Sequence, residues 1–397
     1  MTGSFSGLPL TEKIYETEGL TLTFDANVLS CEPYNGGFGV VLDRTAFFPG
    51  GGGQEFDTGS IGKASVTLVE DIDGVVVHVT DGPIGVGEAV TCRVEEKERM
   101  RRMEHHTAEH IFSGTVHKYF GLENVGFHLG SEFVTIDTSG PLTPEQLAEA
   151  ERLANEAVRK NDRIEILFPT EEELKDIEYR SKKELSGKIR IVKIGETDTC
   201  ACCAPHLERT GQVGAITIIS AMPYKGGMRL SMLAGDEAIK ELRRRQNSLK
   251  ACGEMLSVKP NEVPEALRKV LEGREEAARE KIALITELCE MKLKEDKDQG
   301  RDFSLLVYEK ADQRIANRLG DTYMKGVLFF LAITGGEGSL RYIMKSEKLD
   351  LRAAAPVVNG ILKGRGGGKS GEISGSCGVT LSDIEACASE LYEKLKP

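Results

Sequence analysis

Hydrophobic and polar positions alternate in different rhythms along the 397-residue chain, and each rhythm predicts a different element. Up to about residue 92 the apolar residues come in short β-rich runs, 21–24, 38–42, 64–69, 75–79 and 89–94, separated by Gly and Asp turns. That spacing predicts a small barrel or sandwich. From Glu95 to Tyr119 the period changes to that of a helix, with charged residues on one side and Met103, Ile111 and Val116 among the apolar ones. Strand-like 132–137 follows. Then comes a helix to about Lys160, opened by Thr143 as N-cap, Pro144 at the first helical position and Gln146 as capping-box partner. Residues 164–168, 189–194 and 213–220 read as strands, with a short helix from Thr170.

Beyond residue 236 the pattern is helical and highly charged. Ile239, Leu242, Leu249 and Leu256 form one apolar stripe; Leu267, Leu271, Ala278, Ile282, Ile285 and Leu288 form another. Ser257–Pro260 and Pro264 interrupt the two, which predicts a helical hairpin. A charged linker, 294–302, leads into alternating strands (304–308, 327–333, 340–344) and helices (350–362, 382–395). The fold expected is therefore a multidomain α+β protein: an N-terminal small β-barrel (1–92), an α+β core (93–236), a helical hairpin (237–298) and a C-terminal α/β domain (299–397).

Composition narrows the function. A net charge of −12 argues against general coating of nucleic acid, DNA included. Basic patches survive at 97–102, at Arg243–Arg245, at Lys225 with Arg229, and at Lys363, Arg365 and Lys369, a pattern that suits one specific RNA partner. With no signal-like N-terminus and no long apolar run, the expectation is a cytoplasmic protein that does not enter a membrane. Thiols stay reduced there, so the nine cysteines are packing residues or metal ligands. Cys31, Cys92, Cys252, Cys289 and Cys387 read as packing; Cys200, Cys202 and Cys203, within four positions, do not.

His106 and His110 lie four apart on one helical face, and Cys202 and His206 repeat that gap around Pro205. Two such pairs suit the tetrahedral Cys/His shell of one zinc ion per chain. Cys200 or Cys203 could replace Cys202, and His105 could replace His106, although His105 is turned about 100° away. A metalloprotease would carry Glu directly after the first His; here Thr107 stands there, and Glu109 reads as a surface residue. Gly50–Gly53 before Gln54 allow close backbone approach to a ligand. The loop Gly364–Ser370 mimics a nucleotide-binding loop but follows a helix and has Lys363 in the leading glycine position. Its amides, Arg365 and Lys369 could hold an RNA phosphate backbone.

These residues resemble a known family. His106-Thr107-Ala108-Glu109-His110 with Cys202-Cys203-Ala204-Pro205-His206 is similar to the editing domain of alanyl-tRNA synthetases. So are the glycine run ending in Gln54, Asp57-Thr58-Gly59, Arg209–Gly214 and Lys225–Leu230. The chain lacks room for an aminoacylation domain before residue 1 and so resembles the freestanding editing proteins often called AlaX. Its hairpin and last domain are similar to the synthetases' C-terminal part, with its DHH-associated domain, the mark of the long form. It departs from the family where Cys203-Ala204-Pro205 replaces the usual Gly-Gly-Thr.

The resemblance implies a zinc-dependent aminoacyl-tRNA deacylase that removes serine from mischarged alanine tRNA, with glycine as a further candidate. A pocket that admits alanine rejects serine only about a hundredfold, so a second site that reads the hydroxyl is needed. Thr107 and Gln54 are the expected catalytic contacts, and Gly51, Gly52, Gly53, His128 and Arg229 the expected substrate contacts. His128 has a plainer alternative as a satisfied core residue. The hairpin and last domain would hold the tRNA body or a second copy of the chain. The competing expectation is a tRNA-binding or dimerisation protein whose zinc is purely structural.

Overall fold

The computed structural model describes residues 5, 7–181, 189–298, 300–308, 313–336 and 339–397. It divides into two compact units, Met1–Leu249 and Lys250–Pro397. The division falls inside the region expected as a hairpin.

The first unit begins with six antiparallel strands: β1 (Thr23–Tyr34), β2 (Gly37–Leu42), β3 (Gly59–Ile61), β4 (Ala64–Ile72), β5 (Val75–Thr80) and β6 (Ala89–Val94). Pairing runs β1-β2-β5-β4-β3-β6 and returns from β6 to β1, closing the barrel. β6 alternates exposed and buried residues, as a strand with one wet face must. β5 is buried throughout because its second face is covered by Phe5 and Val41.

α1 (Glu96–Phe120) follows, and its course corrects the expected two-sided helix. From Met103 to Val116, polar residues are buried as completely as apolar ones except half-buried Glu104. The helix is a central rod, wrapped on every side. A four-stranded antiparallel sheet is built from β7 (Asn124–Leu129), β8 (Val134–Thr138), β12 (Ile216–Tyr224) and β13 (Gly227–Ala234), in the order β12-β13-β8-β7. A three-stranded sheet joins β9 (Ile164–Leu167), β10 (Ile191–Ile194) and β11 (Asp198–Ala201). α2 (Pro144–Lys160) starts with the expected capping box, Gln146 N–H donating to Thr143 Oγ1 and Thr143 N–H to Gln146 Oε1. Its buried alanines, Ala150, Ala154 and Ala157, belong to the same core as Ile111 and Phe112 of α1.

α3 (Gly235–Leu256) and α4 (Val263–Asp298) are the two long helices expected, parted at Ser257 and Pro260. Leu242, Leu249, Leu267, Leu271 and Leu288 are exposed, whereas Ile285 is buried against Leu306, Phe330 and Ile343. Cys252 is exposed rather than packed, and the side chain of Cys289 lies outside the described residues, as does Gln299 of the expected linker. The linker starts later than expected, because α4 continues to Asp298; residues 300–302 lie outside helix and strand as expected.

The second unit's sheet contains β14 (Phe303–Tyr308), β15 (Phe329–Thr334), β16 (Arg341–Lys345), β17 (Gly366–Lys369) and β18 (Glu372–Ser376), in the order β14-β15-β16-β18-β17. β14 and β15 are parallel and the other pairs antiparallel. Helices α5 (Gln313–Tyr323), α6 (Leu351–Ile361) and α7 (Ile384–Leu395) complete it. The glycine segment expected to be a loop is β17, an edge strand, because its backbone pairs with β18 from Gly366 to Lys369.

Candidate metal centre

α1 turns His106 and His110 to the same side, with ring centroids 5.4 Å apart. The chain leaving β11 brings His206 to 4.9 Å from the first ring and 4.7 Å from the second. Cys202 Sγ lies 3.3 Å from His206 Nε2 and 3.7 Å from His106 Nε2. The four ligand atoms are all within 4.8 Å of one another. A tetrahedral zinc with ordinary Zn–S and Zn–N bonds separates sulfur from nitrogen by about 3.6 Å. The donors fit such an ion.

Each histidine is held through its other nitrogen. His106 Nδ1 is 2.8 Å from Gln54 Oε1, His206 Nδ1 is 3.1 Å from Thr107 Oγ1, and His110 Nδ1 is 2.9 Å from Asp198 Oδ2. Each of these oxygens can accept an Nδ1–H, which leaves the Nε2 lone pair free for a metal; second partners of this kind fix tautomer and ring direction. Arg180 holds Asp198 with two bonds of 2.7 and 2.9 Å. Gly114 makes the Asp198 contact reachable, because a Cβ there would stand 2.4 Å from Thr197 O and keep helix and strand apart. The Cys202 turn is fixed by Arg190, which donates to Cys202 O, Ala204 O and Glu16 O.

The glycine loop is anchored to the same helix. Arg99 and Asp57 form a salt bridge with side chains 0% and 1% exposed, and Arg99 also donates to Gly19 O and Ala46 O. Asp57 accepts from Phe48 N–H and closes the loop at its base. Gly50, Gly51, Gly52 and Gly53 have φ of 82°, 139°, 59° and 90°, conformations that side chains resist. Phe127 packs against His106 with centroids 4.8 Å apart and the rings tilted by 35°, and a Cβ on Gly53 would meet its ring at 2.5 Å. Exposed Cys203 faces the loop: a Cβ on Gly51 would lie 3.7 Å from its sulfur.

Burial pushes the Cys202 thiol up, but the nearby His106 and His206 rings and bonds from His106 and His110 outweigh it and hold the thiol well below its usual range. Burial pulls His206 down to about 3. For His110 burial acts in the same direction, but the sulfurs of Cys200 and Cys202 and the Asp198 bond outweigh it and raise it well above 6.5. In the metal-free cluster these opposite shifts favour a proton on His110 and ionisation of Cys202.

Several expectations change here. Thr107 is buried and bonds His206, while its Oγ1 accepts from Leu207 N–H. Gln54 is buried against His106. Glu109, expected at the surface, is 1% exposed and accepts from Ser113 and Asn124. His105 faces Ala234 N–H and Glu237 instead of the other rings. His128 is exposed, so it is not a core histidine. Arg229 is tied to Asp137 by two bonds of 2.7 Å and lies over the Tyr224 ring at 3.7 Å. In the patch at 97–102, Arg99 and Arg102 are buried supports of the loop, Arg102 donating to Phe56 O. Arg365 and Lys369 are exposed beside the ends of β17.

Sequence reasoning missed Asp198, Arg180 and Arg190. A usable signal existed for the first: an acid four residues before a ligand cysteine, where a metal-bound histidine needs a carboxylate partner.

Comparison with known proteins bears on the same residues. Residues 189–244, which contain Cys202 and His206, match the family described as "Threonyl and Alanyl tRNA synthetase second additional domain". Residues 18–98, which contain Gln54, match "tRNA synthetases class II (A)". The alanine–tRNA ligase of Halorubrum lacusprofundi is 32% identical over 299 residues, covering 72% of this chain and 32% of that protein. The chain is a relative of the alanine–tRNA ligases. The ligase of Methanopyrus kandleri is 31% identical over 330 residues, 79% of this chain and 36% of that protein. This ligase relative therefore spans about a third of the length of those proteins. The C-Ala domain of Aquifex aeolicus alanyl-tRNA synthetase shows a slight likeness: TM-score 0.22 and 17% identity over 24% of this chain and 91% of that domain. Among the described residues no helix is long and apolar enough to cross a membrane.

Proposed function

We propose that this ligase relative is a zinc-dependent deacylase that removes serine or glycine from mischarged alanine tRNA. The observation that carries the reading is the donor set His106, His110, Cys202 and His206, each histidine with its second nitrogen bonded, beside a glycine loop. Bound zinc would supply a positive charge that polarises or positions the acyl group. The chain's own part is to fix three ring directions and keep Cys202 anionic. In the reaction, water adds to the ester carbonyl carbon and the bond to the ribose oxygen breaks. That oxygen takes a proton, and free amino acid and tRNA result. Lys225, Arg229, Arg365 and Lys369 are the proposed contacts to the RNA, and the exposed apolar stripe of α4 the proposed contact to a second copy.

A second reading has its own support. The three histidines are 1–5% exposed, and four protein donors complete a tetrahedron, as in a structural zinc site. Seryl-tRNA hydrolysis by zinc-loaded protein, with a chelated control and with Cys202→Ala, separates the two. A deacylase loses more than about a hundredfold in rate with Cys202→Ala while its circular dichroism is kept, since a ligand should matter more than its support. No hydrolysis by the loaded parent protein would remove the deacylase reading. Collapse of the fold with Cys202→Ala, together with an inactive parent, favours the structural one.

A further inference from the structure

The four-stranded sheet has two faces of different character. Leu129, Val134, Ile136, Leu230 and Met232 belong to the core that also holds Ile111 and Phe112 of α1. Side chains alternate along a strand, so the residues between them form the opposite face. Strand register sets His128, Thr135, Ser231 and Ser220 in one row across β7, β8, β13 and β12. Gly126, Asp137, Arg229 and Met222 form the next row. All of them are exposed or half-buried.

This outer face is flat and hydrophilic. Positions that face water are usually rich in lysine and glutamate, and neither stands in the two rows. The first row consists of hydroxyls and an imidazole, and Ser220 and Ser231 bond each other at 2.9 Å. In the second, Arg229 is neutralised by Asp137 and laid flat on the Tyr224 ring, 3.7 Å from its centre. Asp137 takes two of the five guanidinium N–H donors. Further positive charge lies at the margin: Lys225 on the β12–β13 turn, and Arg245 of α3, which donates to Ile219 O at 3.1 Å. Met222, 53% exposed, is the apolar side chain of the two rows, too little for the apolar centre of a protein–protein contact.

The face also borders the metal centre. β7 is the last strand of the sheet, and its Leu129 N–H donates to Gly53 O at 2.9 Å. The glycine loop therefore runs along the free edge of β7, beside His128. From there the hydroxyl row crosses three strand spacings, roughly 14 Å, to Ser220.

We infer that this face is a platform for the minor groove of a double-stranded RNA stem, with Thr135 and Ser231 bonding ribose 2′-hydroxyls and the end of the stem directed at the glycine loop. The choice of RNA rests on the deacylase reading. The minor groove of an RNA helix is wide and shallow and displays those hydroxyls, so short side chains on a flat sheet reach them where long ones would hold the groove away. Lys225 and Arg245 at the margin take the flanking phosphates.

Two full-length double variants test this against the parent. Thr135→Val with Ser231→Ala removes both hydroxyls and keeps the shape; Thr135→Glu with Ser231→Glu blocks the face. Circular dichroism and zinc affinity check each fold. Binding is measured to an RNA hairpin and to a DNA hairpin of matching sequence. Hydrolysis is measured on seryl-tRNA and on a short single strand with the same aminoacylated 3′ end.

The parent should prefer the RNA hairpin, and loss of the two hydroxyls should shrink that preference about tenfold. The salt dependence should not change, since no cation is removed. The glutamate pair should raise KM for seryl-tRNA about tenfold or more with kcat kept, and spare the short strand. Equal binding of the two hairpins by the parent, or an unchanged preference without the hydroxyls, overturns the inference. So does an equal loss on tRNA and short strand, or a glutamate pair that alters sedimentation and not RNA binding, which assigns the face to a second copy. If the glutamate pair fails to fold, the hydroxyl-free pair decides. A parent that prefers the RNA hairpin but hydrolyses no ester removes the deacylase reading and leaves the platform. Full hydrolysis with indifferent variants does the reverse.

Discussion

Two glycine runs of similar composition take opposite forms. Gly50–Gly53 lie in left-handed or open conformations, pinned at the base by Asp57 and Arg99, and deliver Gln54 to His106 of the cluster that could hold a metal. Gly366–Gly368 are extended, exposed and paired with β18 at the margin of a sheet. Glycine permits both outcomes and selects neither. The partners decide: a buried salt bridge and a closely packed phenylalanine in one place, a neighbouring strand in the other. The first run is built as part of a site, and the second leaves one strand edge and two cations open.

The comparison can be broken most severely at the first run's anchor. Arg99→Ala leaves buried Asp57 with Arg102, 3.7 Å away, as its remaining cation, and removal of one partner from a buried pair costs up to about 3–5 kcal/mol. Urea unfolding should register that loss, and zinc affinity should fall with it as Gln54 is released. An unchanged midpoint would mean the loop is held elsewhere. Next in size is a matched pair of substitutions. Gly53→Ala meets Phe127 and a φ of 90°, and should cost about 2–3 kcal/mol. Gly367→Ala meets nothing within 4 Å on an ordinary strand and should stay within about 0.5 kcal/mol. Equal effects in the two would erase the distinction.

Acid gives a smaller and graded effect. In the metal-free cluster the His110 proton is held more tightly than on an ordinary imidazole, and the Cys202 thiol ionises more readily than usual. Metal must therefore displace the His110 proton at neutral pH, and affinity falls as pH falls, by up to about tenfold per unit. Calorimetry of zinc binding at pH 7 in two buffers of different ionisation enthalpy should count about one proton released; none released would contradict the arrangement. The smallest effect is expected at the second run. Joint Arg365→Ala and Lys369→Ala should weaken tRNA binding a few-fold. Removing each cation should flatten the salt dependence by about one unit of slope, with zinc affinity untouched. A loss of zinc there would show that the two runs are not independent.

Much of the first unit was legible in the residues. Period-2 runs marked strands later found in the barrel, and Thr143, Pro144 and Gln146 marked the start of α2, because those signals act between near neighbours in sequence. β13 was missed although Lys225 and Gly226, with φ of 47° and 86°, make the kind of turn that a hairpin needs. The surface reading of Glu109 failed because a helix wrapped on all sides has no solvent face for a helical wheel to reveal.

By itself the sequence determined which donors could be drawn together. Residues four apart on a helix, or around a tight turn, share a side by local geometry alone, so His106 with His110 and Cys202 with His206 could be paired without a fold. Only the tertiary structure decided what stands behind each ligand. Gln54 lies 52 positions from His106, Asp198 lies 88 from His110, and Thr107 lies 99 from His206. Contacts over such spans leave no periodic trace in the chain. They exist because a buried arginine, a close-packed glycine and the packing of Phe127 bring distant segments together.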